Sequence, residues 1–212
     1  MRIWLGLGTL LNPVPIRGMW KQSRSLITVD IFFLQSNATQ IVQDAILLAG
    51  IMDALFRDVS VRVHLKGIEI WTGGDRINIR QMNTSQILEA FSKYLRIHVS
   101  PQIPADWTHL FVTSAFIHSL GWAYIRGTCS MNSSGSVRSF RNLNILEASR
   151  WSAHEPGHGI GMQHDTKDCR CKGKKTCILG TGIDGFSNCS YINYHSYIHS
   201  NGDCLIPRDW VM

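Results

Sequence analysis

Long apolar runs are missing from this 212-residue sequence. No stretch approaches the roughly 18 consecutive apolar residues that a membrane-spanning helix needs, so no membrane span is expected in it. Acidic side chains are also few, 15 against 21 Lys and Arg, for a net charge of +6. The basic excess is scattered. Its densest run, Lys172, Lys174 and Lys175, is short and lacks the interleaved aromatics of a nucleic-acid footprint. It reads as a solvated loop, and no nucleic-acid partner is expected. There is no internal repeat and no long linker. A chain of this length with 44% hydrophobic residues reads as one compact domain of α/β type.

Cysteine is absent before position 129, and the six that follow are Cys129, Cys169, Cys171, Cys177, Cys189 and Cys204. An even number in one region is most simply three disulfides made in an oxidising compartment. Six cysteines allow 15 pairings, so composition leaves the connectivity open. A thiolate zinc site from Cys169, Cys171 and Cys177 competes, but C-x-C-x5-C fits zinc-ligand spacings poorly. Four N-x-S/T sequons, at Asn37, Asn83, Asn132 and Asn188, agree with an extracellular or secretory location. Residues 1–24 show no firm period. Ile3 to Leu11 is a short apolar run after Arg2 that resembles a signal-peptide core, without a clear cleavage site after it, and reads equally as a truncation scar or alternative start.

From residue 25 onward, strand and helix patterns alternate. Ser25 to Leu34 is apolar and β-branched, a buried strand. Ser36 or Asn37 caps a helix to Phe56, with Ile41, Ala45, Leu48, Met52 and Leu55 at three- and four-residue spacing. Val59 to Trp71 alternates as a strand with a bulge at Gly67. Asn83 or Thr84 opens a second helix carrying Ile87, Leu88, Phe91 and Leu95. His109 to Phe116 reads as a buried strand and Gly121 to Ile125 as a shorter one. Ser130 to Arg141 is Ser-rich and reads as an exposed loop. Asn142 or Asn144 starts a third helix, and a last one falls near Tyr191 to His199. The alternation predicts helices packed on a mixed sheet. His64, His98, His109 and His118 read as structural or exposed. His195 and His199 could mimic a ligand pair, but no acidic third partner stands nearby.

The third helix carries the chemistry. Residues 152–165 read S-A-H-E-P-G-H-G-I-G-M-Q-H-D, and inside them lies H-E-x-x-H-x-x-G-x-x-H. His154 and His158 are four apart, so on a helix they share a face. Two imidazoles there can reach one Zn²⁺ at about 2.0–2.1 Å. Gly161 can end the helix and turn the chain back, which brings His164 in as third ligand. Three protein ligands leave a fourth position open, the mark of a catalytic site rather than a structural one. Glu155, beside the first ligand, is placed to act as general base toward a water at the metal. Asp165 either orients a contact behind the ligands or caps a turn.

These residues make the chain resemble the catalytic domain of the adamalysin or reprolysin branch of the metzincins, the ADAM and snake-venom metalloprotease family. H-E-P-G-H-G-I-G-M-Q-H-D at 154–165 is similar to that family's zinc signature. G-I-E-I-W at 67–71, F-S-K-Y at 91–94, H-L-F at 109–111 and F-S-N-C-S-Y at 186–191 support it, and the likeness runs from about Ile27 to Ile206. It implies a catalytic domain over 25–212: a mixed, mostly parallel sheet packed with helices, and a small irregular disulfide-rich subdomain after His164. It implies zinc-dependent hydrolysis of peptide bonds in a protein or peptide substrate, which pairs as an added strand along Gly121 to Tyr124. It implies the disulfides Cys129–Cys204, Cys169–Cys189 and Cys171–Cys177. The family is often membrane-anchored, so the chain would be an ectodomain part.

Four departures from the family pattern stand out. Pro156 occupies a mid-helix position between two ligands, where proline removes a hydrogen bond and clashes with the carbonyl of Ser152, at a cost of about 3 kcal/mol or more. The family's Met-turn appears as Cys177-Ile178-Leu179, which keeps volume but loses the thioether. The family's Ca²⁺ site is incompletely matched, with Asp106 able to serve but Pro207 where an amide side chain is expected. The start of the first strand looks replaced, and prodomain, disintegrin and membrane segments are not seen. Pro156 and Leu179 sustain a different reading, a weak or inactive protease-like domain serving adhesion or protein interaction.

Overall fold

A computed structural model describes residues 2–3, 21–22, 25–27, 38–71, 74, 76–79, 81–102, 105–112, 121–128, 130, 135–139, 144–171, 173, 176–180, 182, 184–201 and 205. Its strands are β1 (Arg2–Ile3), β2 (Lys21–Gln22), β3 (Ser25–Ile27), β4 (Val61–Arg62), β5 (Ile68–Glu69), β6 (Trp107–Val112), β7 (Gly121–Ala123) and β8 (Gly135–Ser139). Its α-helices are α1 (Ala38–Phe56), α2 (Thr84–Tyr94), α3 (Ile145–Gly159) and α4 (Asn188–Asn201). None of these helices is long and apolar enough to cross a membrane.

The helices form where spacing and caps agree. In α1, Ala45, Leu48, Ala49 and Met52 fall on one face and are buried. In α2, the Asn83 side chain accepts from the Gln86 amide at 3.0 Å, and the Gln86 side chain accepts from the Asn83 amide at 2.9 Å. This reciprocal pair satisfies two amides that the first turn would otherwise leave unpaired. Of the two asparagines that could open α3, Asn144 does so, accepting from the Glu147 amide at 2.9 Å. Ser36 and Asn37, the caps expected for α1, lie outside the described residues.

The four-stranded sheet runs β3-β6-β8-β7, with β3–β6 and β6–β8 parallel and β7–β8 antiparallel. Two small pairs accompany it, β1–β5 antiparallel and β2–β4 parallel. Strand β6 is buried along its whole length and alternates between two apolar clusters. Leu110 and Val112 join Ile87, Leu88 and Phe91 of α2, whereas Phe111 joins residues of α1, α3 and α4.

Two expectations are corrected. The Ser-rich stretch Ser130 to Arg141 is not simply a loop, because it holds β8, the strand between β6 and β7. A strand flanked on both sides takes its position from its neighbours' backbones, and with Val137 its only aliphatic residue it has no alternation to read. The single strand expected over Val59 to Trp71 is two short strands with different partners, β4 beside β2 and β5 beside β1. The first strand is described only over Ser25–Ile27, and residues 28–34 lie outside the described set, as do 113–116.

Candidate metal centre

Helix α3 carries His154 and His158 one turn apart, with Glu155 and Pro156 between them. The helix continues through the buried Pro156, and the Ile160 amide donates to the Pro156 carbonyl at 3.1 Å. A proline removes the bond its own nitrogen would make to the Ser152 carbonyl, yet α3 runs unbroken from Ile145 to Gly159. The helix ends at Gly161, whose φ of 93° lies in the left-handed region. The Gly161 amide donates to His158 O at 2.9 Å and the Met162 amide to Gly157 O at 3.0 Å. A Cβ at Gly161 would also lie 2.7 Å from Tyr197 Cβ on α4. Glycine is therefore needed there twice, for the turn and for the close approach. The reversed chain then delivers His164.

The three Nε2 atoms converge. They stand 3.1 Å (His154–His158), 3.1 Å (His158–His164) and 3.2 Å (His154–His164) apart. Tetrahedral ligation at about 2.0–2.1 Å places ligand nitrogens about 3.3 Å apart, so the trio fits one zinc-sized ion. The other ring nitrogens are committed. His154 Nδ1 donates to the Ile178 carbonyl at 2.6 Å and His158 Nδ1 to the Met162 carbonyl at 2.8 Å. A carbonyl can only accept, so both rings carry their proton on Nδ1 and turn a lone pair inward at Nε2. Two lone pairs 3.1 Å apart repel unless a cation or a proton stands between them. Burial pushes the His158 pKa down and the nearby His164 ring adds to this, while the Met162 carbonyl opposes both. The neutral, metal-binding form is thereby favoured. These three histidines form one of two clusters of metal-capable side chains among the described residues. The other, Asp165 with Cys169 and Cys189, has its sulfurs tied in a disulfide.

The floor beneath the histidines is built from the segment after them. Leu179 is fully buried, and a Cβ on Gly157 would come within 3.1 Å of its Cδ2 and 3.4 Å of Met162 Sδ. Leu179 thus sits under α3 between the two helical histidines. The Asp165 amide donates to Leu179 O at 2.9 Å. The Asp165 carboxylate accepts from the Ser187 hydroxyl, which itself accepts from the Ser190 amide in the first turn of α4 at 3.0 Å. Asp165 thus ties the segment after His164 to the start of α4. Sequence reading did not single out the Ile178 and Met162 carbonyls or Ser187. Backbone oxygens carry no residue signature, and an isolated serine carries little.

Disulfides join Cys169 to Cys189 and Cys171 to Cys177, which removes the thiolates a second zinc site would need. Cys129 and Cys204 lie outside the described residues, as do His118 and Pro207. His109 is buried with its ring stacked on Phe111 at 4.3 Å, and His98 lies against Tyr94 at 5.0 Å. His195 lies between Tyr191 and Tyr194 on α4, and neither it nor His199 joins a metal-capable cluster among the described residues.

The three imidazoles, carried on one helix and the turn that follows it, make a candidate site for a single metal ion. The profile of the "Reprolysin (M12B) family zinc metalloprotease" matches residues 29–208, and the chain belongs to that family. It is 31% identical over 177 residues to "Disintegrin and metalloproteinase domain-containing protein 1a" of Mus musculus, covering 82% of this chain and 22% of that protein. It is 31% identical over 175 residues to "Disintegrin and metalloproteinase domain-containing protein 9" of Homo sapiens, covering 80% of this chain and 21% of the relative. Against the human protein numbered 15 in the same series, identity is 34% over 173 residues, or 76% of this chain and 20% of the other. The chain thus spans about a fifth of the length of these relatives. Among solved structures, one described as "Structure of a chaperone-substrate complex" superposes with a TM-score of 0.60 at 15% identity, over 87% of this chain and 35% of that one. At that identity the likeness speaks for the fold alone.

Proposed function

We propose that residues 25–212 form a zinc endopeptidase domain of the secretory pathway. His154, His158 and His164 hold the metal, and Glu155 is the general base. One observation carries the reading: three inward-facing Nε2 atoms 3.1–3.2 Å apart, two of them with their Nδ1 protons given to carbonyls. When bound, Zn²⁺ supplies a Lewis acid that acidifies water and polarises a carbonyl oxygen. The chain's own groups do the rest. The Ile178 and Met162 carbonyls hold two imidazoles in the ligating tautomer. Glu155 is buried on the same helix, next in sequence to the first ligand. It accepts the proton of the attacking water and delivers it to the leaving amine nitrogen. Among the described residues β7 is the last strand of its sheet, and its outer side would offer backbone groups to an extended peptide lying along it as an added strand.

Glu155→Ala tests this. Zinc content by elemental analysis should stay near one ion per chain, while cleavage of an unfolded protein substrate should fall by about a thousandfold or more. Cleavage at the parental rate would end the proposal. Zinc bound without turnover in the parent would instead favour the second reading, an inactive domain kept for protein interaction. Pro156 is the feature that motivates it, and activity appearing in Pro156→Leu would locate the defect there.

A further inference from the structure

We infer that Gly121 is a positioning residue for Glu155: the missing side chain at 121 is the space that the carboxylate occupies. The inference rests on the role proposed above for Glu155. A Cβ built on Gly121 would stand 2.0 Å from Glu155 Oε1, 2.6 Å from Cδ and 3.0 Å from Cγ. No Cβ tolerates such distances, so the carboxylate lies directly against the backbone of β7. Gly121 is not among the positive-φ residues, so its backbone is one that alanine adopts freely. Its Cβ would meet no other group as its three nearest neighbours; all three are atoms of the one Glu155 side chain.

That distinction sets the cost. At Gly159 the obstacles are the Trp107 ring and Thr128, and at Gly161 they are the body of Tyr197, so a methyl there strikes packed groups. At Gly121 the obstacle is the end of a flexible side chain, which can rotate aside. Gly121→Ala should therefore leave the fold standing and charge its cost to the placement of Glu155. A shift of about 1 Å in a proton-transferring group is enough to cost roughly a hundredfold in rate. Antiparallel pairing with β8, where Gly121 faces Arg138, holds β7 in place, so the carboxylate gives way rather than the strand. Glu155 is 5% exposed and α3 packs on β7, so rotating aside takes the carboxylate out of its buried place.

The test uses four proteins: the parent, Gly121→Ala, Glu155→Ala and the double variant. Expected is a kcat for Gly121→Ala lowered by about ten- to a hundredfold, with KM within about twofold and zinc content unchanged. A Gly121 that served only as substrate-pairing backbone would move KM instead. The second readout needs no activity. Gly121→Ala should lower the thermal midpoint of the parent, and that loss should vanish or reverse in the Glu155→Ala background, where the carboxylate is gone and alanine restricts the unfolded chain. An equal loss in both backgrounds, or parental kcat in Gly121→Ala, overturns the inference. If the zinc-loaded parent cleaves nothing, the endopeptidase reading fails, and the thermal cycle still decides whether residue 121 makes room for Glu155.

Discussion

Two apolar clusters share strand β6, and only one of them, among the described residues, includes residues that hydrogen-bond to the histidine rings of the candidate metal centre. The first contains Phe111 from β6, much of α1, Ala148 and Ala153 of α3, Met162, Ile178, Leu179 and Tyr197 of α4. The second contains Leu110 and Val112 from β6, with Ile87, Leu88 and Phe91 of α2 and the turn ending at Val99. Both are closely buried. The first, however, includes the residue whose carbonyl fixes the His154 ring (Ile178) and the one whose carbonyl fixes His158 (Met162). Packing and the seating of the histidine rings are therefore coupled on one side of β6 and separable on the other. The same methylene count should have different consequences on the two sides.

The largest expected effect tests the separable side. Phe91 is completely buried in the second cluster. Phe91→Ala should cost about 3–5 kcal/mol of stability, yet the folded fraction should bind zinc within about twofold of the parent. Denaturant unfolding with and without a zinc titration measures both numbers. A matching loss of affinity would break the comparison. Leu179→Ala comes next. It should cost about 2–5 kcal/mol, and here zinc affinity should also fall by about tenfold, because the chain that presents the Ile178 carbonyl loses its anchor under Gly157. Unchanged affinity would mean that Ile178 is held by its own backbone bond to the Gly185 carbonyl at 2.7 Å rather than by packing.

How far these features could be read in advance depends on whether side-chain spacing specifies them. His154, Glu155, His158, Gly161 and His164 are legible because helix pitch and one glycine turn dictate where their atoms go. Helices α1, α2 and α3 are legible for the same reason, with Asn83 and Asn144 marking two of the starts. Strand β8 is not, because its place between β6 and β7 is set by long-range pairing and its polar composition hides it. The proline is an intermediate case. Residue type alone predicts distortion between the ligands, but α3 continues past Pro156 and the three Nε2 atoms still converge. Tertiary packing around Ala153 and Ile160, both buried, outweighs the lost bond. The partners of Nδ1 are illegible, since any residue offers a carbonyl.

A buried carboxylate outside the histidine cluster stands on each side of β6: Glu69 and Asp53. Glu69 accepts from neutral donors, the Trp71 indole at 3.0 Å and the Tyr94 hydroxyl at 2.6 Å. Asp53 of α1, by contrast, accepts from Arg57 at 2.7 Å, Arg62 at 2.8 Å and the Val63 amide at 2.8 Å, which ties α1 to β4. Burial alone would raise the Asp53 pKa, but the hydrogen bonds from Arg62, Val63 and Arg57 outweigh it and hold the carboxyl below its usual 3.8. A folded pKa below the unfolded one gives stability that is complete above about pH 4 and lost as the pH falls through the folded value. Arg57 and Arg62 are 58% and 39% exposed, so solvent screens the pair, and Asp53→Asn should cost only about 1 kcal/mol at pH 6. That gap between parent and variant should narrow in denaturant unfolding as the pH is taken from 6 down to 3, because the unfolded chain's carboxyl takes up its proton before the folded one does. A gap that stays constant from pH 6 to pH 3 would mean that Asp53 acts through shape rather than charge.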